Sequence, residues 1–261
     1  MSALLAALQL IVASSSVVVP DPQEALTHAP QVELLGPLDA EEAPAPPGFL
    51  GFCVDYPEEC GDQPLRVGYG RILQRPVLAA YWEGVFSRPS ASLRAPSALQ
   101  RPDMARSARN LREEEAIEAE AAPTQLSSSA FQEIKRVNRD VNWRIRPATD
   151  LEAFGVPDRW TLPLAPGGGG EGDCEDFVLQ KRSELRKSGF SLKMMSIALV
   201  ETPRRQTHAV LLLNTDHGVL VLDNLDSRVL KLSRTSYKII SRERMGDPMS
   251  WRAGLDAGPA A

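Results

Sequence analysis

Residues 172–189 read GDCEDFVLQKRSELRKSG, and residues 207–224 read THAVLLLNTDHGVLVLDN. In the first stretch Val178, the stem of Lys181 and Leu185 fall on one face of a helix that Gly189 is placed to stop. In the second, two apolar runs flank Asp216-His217-Gly218, the pattern of two strands joined by a tight turn. Further strands are predicted over 192–201, 228–232 and 237–244. Upstream, LSSSAFQEIKRVNRDVNWRI (126–145) carries Phe131, Ile134, Val137, Val141 and Ile145 at three- to four-residue steps. That spacing predicts an amphipathic helix ending before Pro147. Ser128 or Ser129 is its N-cap, with Gln132 at capping-box distance from Ser129. Two helices followed by an antiparallel meander make an α+β domain over 126–251.

The rest of the chain reads differently. At roughly 150 residues per domain, the 261 residues amount to one large domain or one domain with a long appendage. Residues 1–125 hold 14 of the 21 prolines and carry 9 basic against 17 acidic groups, whereas residues 126–261 carry 20 basic against 17 acidic. The folded domain is therefore expected in the second half. A net charge of −5 without a Lys/Arg-dense run argues against nucleic-acid binding. No apolar run approaches the ~20 residues of a bilayer-spanning helix. Residues 1–19 open with an apolar stretch broken by Gln9 and followed by Ala13 to Ser16, the pattern of a signal peptide or N-terminal anchor, although no Lys or Arg precedes it. Residues 20–48 contain seven prolines and read as a linker that sustains neither helix nor strand. Residues 49–86 form an aromatic-bearing extension. The polar, charge-rich stretch 87–125 reads as a disordered insertion or a solvated helix, and 252–261 as a tail.

Three cysteines are present, Cys53, Cys60 and Cys174. The pair in FCVDYPEEC (52–60) either closes a small disulfide loop in an oxidising compartment or packs as two unrelated core residues. Companion Cys/His residues at zinc-ligand spacing are missing around them. Cys174 differs, because it opens a helix behind the glycine-rich segment 167–173. Unpaired N–H groups and the positive end of the helix dipole stabilise a thiolate there and are expected to lower its pKa. The glycines let backbone and substrate approach closely. If a two-residue turn at 216–217 pairs 215 with 218, opposed residues sum to 433. His208 and Asp223 are then diagonal neighbours on one sheet face, about 7–8 Å apart at the backbone. An Asp so placed orients an imidazole, and the imidazole takes a thiol proton. Cys174, His208 and Asp223 are accordingly the candidate catalytic triad. His28, in the linker, and His217, at the hairpin tip, are weaker candidates. Asp173, Glu175 and Asp176 flank the cysteine. They read either as carboxylates favouring a helix N-terminus, which oppose thiolate formation, or as ligands of a hard cation such as calcium.

The stretches VNRDVNWRIRPATDLEAFGVPDRWTLP (137–163), GDCEDFVLQKRSELRKSG and THAVLLLNTDHGVLVLDN resemble the bacterial transglutaminase-like cysteine peptidase family, whose characterised members include periplasmic proteases that release adhesins. FCVDYPEEC resembles the cysteine pair found ahead of this domain in many members. The resemblance implies a papain-like or transglutaminase-like fold, with a helix-mounted nucleophile against an antiparallel sheet. It assigns Cys174 as nucleophile, His208 as general base and acid, and Asp223 as orienting acid. It matches Asp173 and Glu175 to Ca²⁺-binding positions and favours a Cys53–Cys60 disulfide. It also implies export to the periplasm, a protein substrate such as a surface adhesin, and a membrane-bound regulator. The expected chemistry is peptide hydrolysis through an acyl-enzyme, its oxyanion held by backbone N–H groups at the helix start with help from a side chain such as Trp160 or Asn138. Two other readings stand beside it: acyl transfer to amines, and a non-catalytic calcium-dependent binding module.

Overall fold

The computed structural model describes residues 42–61 and 104–255. The expected leader, most of the linker, residues 62–103 and His28 lie outside the described residues. In chain order the elements are β1 (Glu42–Ala43), α1 (Pro47–Asp55), α2 (Met104–Glu120), α3 (Ser128–Arg144), β2 (Arg146–Pro147), α4 (Asp150–Phe154), β3 (Glu171–Gly172) and α5 (Cys174–Lys187). The strands β4 (Met195–Glu201), β5 (Thr207–Thr215), β6 (Gly218–Leu222), β7 (Leu230–Lys231), β8 (Lys238–Arg244) and β9 (Asp247–Ala253) follow. The fold is α+β: helices on a seven-stranded sheet of order β1-β9-β8-β4-β5-β6-β7, antiparallel at every pairing. Only β4 to β7 form the expected meander. After β7 the chain crosses back to add β8 beyond β4.

Both faces of the sheet are covered, which explains strands that read as near-continuous apolar runs. Ile197, Leu199, Leu211, Leu213 and Leu222 pack with α3, α5 and α1 through Ile134, Val137, Phe177, Val178, Phe49 and Phe52. Ala198, Val200, Val210, Leu212 and Val221 face the opposite way, against Ile117 of α2. Helix α3 starts one residue ahead of expectation. Ser127 is its N-cap, accepting the Ala130 N–H at 3.1 Å, so the Ser129–Gln132 capping box is not formed. Helix α5 ends as expected, with Gly189 in the left-handed region (φ 89°).

Three boundaries differ from the sequence reading. The end of the supposed linker is structured: Glu42 and Ala43 pair with Arg252 and Trp251 of β9, and Pro47 opens α1, where its missing N–H costs nothing. The same pairing places Arg252 and Ala253 in a strand and not in a tail. Most of all, residues 104–120 of the supposed disordered insertion form α2, with Asn110, Glu113, Glu114 and Ile117 buried. Its polarity is used in docking. Asn110 donates to the carbonyls of Leu232 (3.0 Å) and Thr235 (3.2 Å), Glu114 accepts from the Ser233 N–H (2.7 Å), and Glu120 pairs with Arg242 (2.7 Å). Polar side chains that pair with protein are indistinguishable, in sequence, from ones that pair with water.

Helix α5 is pinned to the sheet by a fully buried ion pair, Arg182 to Glu243 of β8 at 2.8 Å. The second Glu243 oxygen accepts the Ile197 N–H (2.8 Å), and the guanidinium stands 5.6 Å over the Phe49 ring. Cys53 and Cys60 are bonded to one another. Glu59 beside them accepts from Ser183 (2.8 Å) and pairs with Arg186 (2.9 Å), so the N-terminal segment grips the back of α5. Removing one partner of a buried ion pair costs about 3–5 kcal/mol, whereas apolar replacement of both is near neutral. Glu243→Leu is therefore expected to lower stability by that amount, and Arg182→Met with Glu243→Leu to recover most of it, read from urea unfolding of the four proteins of the cycle.

Candidate active site

The turn between β5 and β6 contains two residues, Asp216 and His217, and Thr215 lies opposite Gly218, which adopts a φ of 93°. Leu211 opposes Leu222, so the register follows the 433 sum. His208 and Asp223 consequently meet: Nε2 of His208 lies 2.7 Å from Oδ1 of Asp223, with both residues buried. Asp223 also accepts the Leu225 N–H (2.9 Å) and the Tyr237 hydroxyl. Burial works against its charge, but His208, Tyr237 and Leu225 hold the carboxyl below its ordinary range. The loop after Asp223 is clamped from α3. Asn142 donates to the Asp223 carbonyl (2.7 Å) and Asn138 to the Ser227 carbonyl (3.0 Å).

Cys174 is the first residue of α5 and the protein's one free cysteine. Its sulfur lies against β5, where the Ala209 backbone N–H points toward it. His208 precedes Ala209 in β5, and its Nδ1 is buried and without a partner among the described residues. The thiol donates to Oε2 of Glu175 at 3.2 Å. The helix-start argument predicts a depressed thiol pKa, and the structure reverses it. Desolvation, then the Glu175 and Asp173 carboxylates, push the thiol well up. Because Cys174 keeps partial solvent access, the adjacent carboxylates are the firmer of these causes. Like charges one residue away outweigh the half-charge of a helix end.

Those carboxylates belong to a larger cluster. Ligand atoms of Asp150, Asp173 and Glu175 lie within 4.8 Å of one another. Burial, then Asp173, pushes the Asp150 carboxyl up to about 7 and raises those of Glu175 and Asp176 well above the usual range. Asp158, itself raised by burial, accepts from Gly48 (3.0 Å) and from the Trp160 indole (3.0 Å). Asp150 Oδ1, Asp173 Oδ1 and Asp176 Oδ2 are buried without partners among the described residues. Gly172 is required here, since a Cβ would stand 2.4 Å from Asp176 Oδ2. Oxygen-only donors, converging and under-satisfied, are the donor set of a hard cation such as Ca²⁺.

Sequence reasoning names Asp173 and Glu175 but passes over Asp150, hidden as the first residue of α4 behind a Thr149–Glu152 capping box. It also passes over Tyr237, which no local pattern marks. The single indole N–H of Trp160 is committed to Asp158 (3.0 Å), and the Asn138 amide donates to the Ser227 carbonyl (3.0 Å). His217 is at the hairpin tip with its side chain 55% exposed, edge-on to Phe131.

The sequence profile of the bacterial transglutaminase-like cysteine proteinases matches residues 105–257, and the chain belongs to that family. It is thus a cysteine peptidase by class. Among solved structures it is similar to calcium-bound LapG of Legionella pneumophila, at 22% identity over 52% of this chain and 82% of that one, with a TM-score of 0.38. It is also similar to EGTA-treated LapG of the same organism, at 23% identity over 59% and 85%, with a TM-score of 0.39. A search of curated proteins finds no match. Among the described residues no helix is long and apolar enough to cross a membrane.

Lys181, on the inner face of α5, is fully buried, with Nζ unpaired among the described residues and 5.9 Å over Phe177. Burial lowers its pKa to about 7, against the pull of Asp223. An unfolded lysine titrates near about 10.4, so between the two values the unfolded state binds more protons and stability rises with pH. Below pH 7 the buried charge is a penalty. Lys181→Met is expected to be the more stable protein at pH 6 by a few kcal/mol, with the gap closing by pH 10. Chemical denaturation of both proteins across that range measures it.

Proposed function

We propose that this protein is a thiol-dependent endopeptidase that cleaves an exported or cell-surface protein through Cys174, His208 and Asp223, and that it works in the periplasm. The observation that carries the catalytic reading is the imidazole of His208. Its Nε2 is engaged by Asp223 at 2.7 Å and its Nδ1 is unpaired among the described residues, one position along β5 from Ala209, whose backbone N–H is directed at the Cys174 sulfur. In the proposed reaction Nδ1 takes the Cys174 proton and the sulfur attacks the substrate carbonyl carbon. The oxyanion is met by backbone N–H groups at the start of α5. His208 then returns the proton to the leaving amine, and the amine departs with the C–N bond broken. A water molecule, deprotonated by the same nitrogen, attacks the thioester and releases the carboxylic acid and the thiol. Asp223 stabilises the imidazolium at each protonated stage without taking the proton itself. Export and a protein substrate, a surface adhesin being one, rest on the resemblance of the GDCED and LDN segments and on the leader-like residues 1–19. So does a membrane-bound regulator as partner.

Asp150, Asp173 and Glu175 fit a calcium ion, because they converge and because two of them carry orphaned buried oxygens. A Ca²⁺ ion held by these three residues would neutralise the carboxylates that hold the Cys174 thiol up.

The first test is cleavage of the exported proteins of the source bacterium by the purified full chain in CaCl₂. Cys174→Ala is expected to abolish cleavage, and His208→Ala to slow it by roughly 10²-fold or more. Cleavage that survives both changes overturns the catalytic reading. Incorporation of dansylcadaverine into glutamine-bearing protein in place of cleavage would make it an acyl transferase. Calcium is tested separately by calorimetry. Asp150→Asn and Glu175→Gln are each expected to weaken Ca²⁺ binding on the order of 10–100-fold, and heat signals unchanged by either would remove calcium from this cluster.

A further inference from the structure

Asp223 receives three donors on two oxygens. Oδ1 accepts both His208 Nε2 and the Leu225 N–H, while Oδ2 accepts only Tyr237 among the described residues. A carboxylate held at one oxygen is free to swing about its terminal torsion. A donor at the second oxygen fixes its plane, and with it the direction from which the imidazole is held. The Tyr237 ring also lies alongside the imidazole, with centroids 6.0 Å apart and tilted by 55°. Burial, then the Asp223 carboxylate, push the phenol pKa up, so the hydroxyl keeps its proton and serves as donor.

Tyr237 is in turn set in place by α2, which packs on the same face of the sheet. It follows a short 3₁₀ turn, Leu232–Arg234, whose backbone is held by α2. Asn110 reaches the Leu232 and Thr235 carbonyls, Glu114 the Ser233 N–H, and Arg106 the Ser236 carbonyl (2.8 Å). His208 lies opposite Val200, which faces α2, so the pair, Tyr237 and the helix share one side of the sheet. We propose that Tyr237 is a positioning residue for the Asp223–His208 pair, and that α2 acts through it as a clamp on the catalytic imidazole. This rests on the triad reading above.

The test uses the full chain in CaCl₂ with two readouts: the proton resonance of His208 Nε2–H, and the rate of Cys174 alkylation by iodoacetamide. Tyr237→Phe keeps the ring and removes only the donor. Its expected effects are a shift of the Nε2–H resonance, because Asp223 loses a competing donor, and a fall in alkylation rate of about tenfold. The rate effect should vanish in an Asp223→Asn background. Asn110→Ala, which loosens the clamp without touching the site, should move the resonance in the same direction by less, and it carries the test if Tyr237→Phe does not fold. An unchanged resonance, or a rate effect of equal size with and without Asp223, overturns the proposal. Should His208→Ala leave alkylation unchanged, the triad reading fails, while the resonance still judges Tyr237 because it reports the Asp223–His208 geometry alone.

Discussion

The Arg182–Glu243 pair is the contact on which the rest of the structure depends. It joins α5 to β8, and through the second oxygen of Glu243 to β4, with Phe49 of α1 laid on the guanidinium. An apolar helix face tolerates sliding along a sheet, because dispersion and hydrophobic contacts are non-directional. A desolvated ion pair does not, since any displacement leaves two charges buried and unpaired. The contact therefore sets where α5 lies along its own axis. The first residue of α5 is the nucleophile candidate, and the strand it must meet is β5. A helix displaced by one residue would move Cys174 by about 1.5 Å, enough to draw its sulfur off the Ala209 N–H.

Around that fixed helix the molecule concentrates negative charge. Asp150, Asp158, Asp173, Glu175 and Asp176 come from α4, the loop after it and the start of α5, and each carboxyl is raised by burial. Without a compensating cation this arrangement opposes folding and opposes a thiolate. Some of the strain is met by backbone donors, with Thr161 on Asp176 (2.6 Å) and Arg159 on Asp150 (2.5 Å). Asp150 Oδ1, Asp173 Oδ1 and Asp176 Oδ2 are left without donors among the described residues. Buried acceptors that the protein does not satisfy are costly.

Local sequence already carried the Asp223–His208 meeting. A two-residue turn fixes antiparallel register, and register fixes which residues share a face, so the step from Gly218 to His208 needed only counting. The start of α5 and its glycine stop were legible for similar reasons of short range. The thiol pKa was misread because a helix dipole is a local and weak effect, while the carboxylates that outweigh it gather from residues 150–176. Helix α2 was misread because its few apolar side chains suggest solvation. Its docking groups are amides and carboxylates whose partners lie 119 to 142 residues away.

What the sequence by itself determined is therefore the two helices and the strands β4 to β8 that surround the site, the strand register there and the chemical identity of Cys174, His208 and Asp223, since turn length and side-chain period are properties of neighbours along the chain. Only the tertiary structure decided which nitrogen of His208 remains open and that Asp150 joins Asp173 and Glu175. It alone placed Tyr237 on the Asp223 carboxylate and α2 behind it. Those facts depend on directional contacts between distant segments, and the strength of such contacts comes from a buried environment that exists only once the chain has folded.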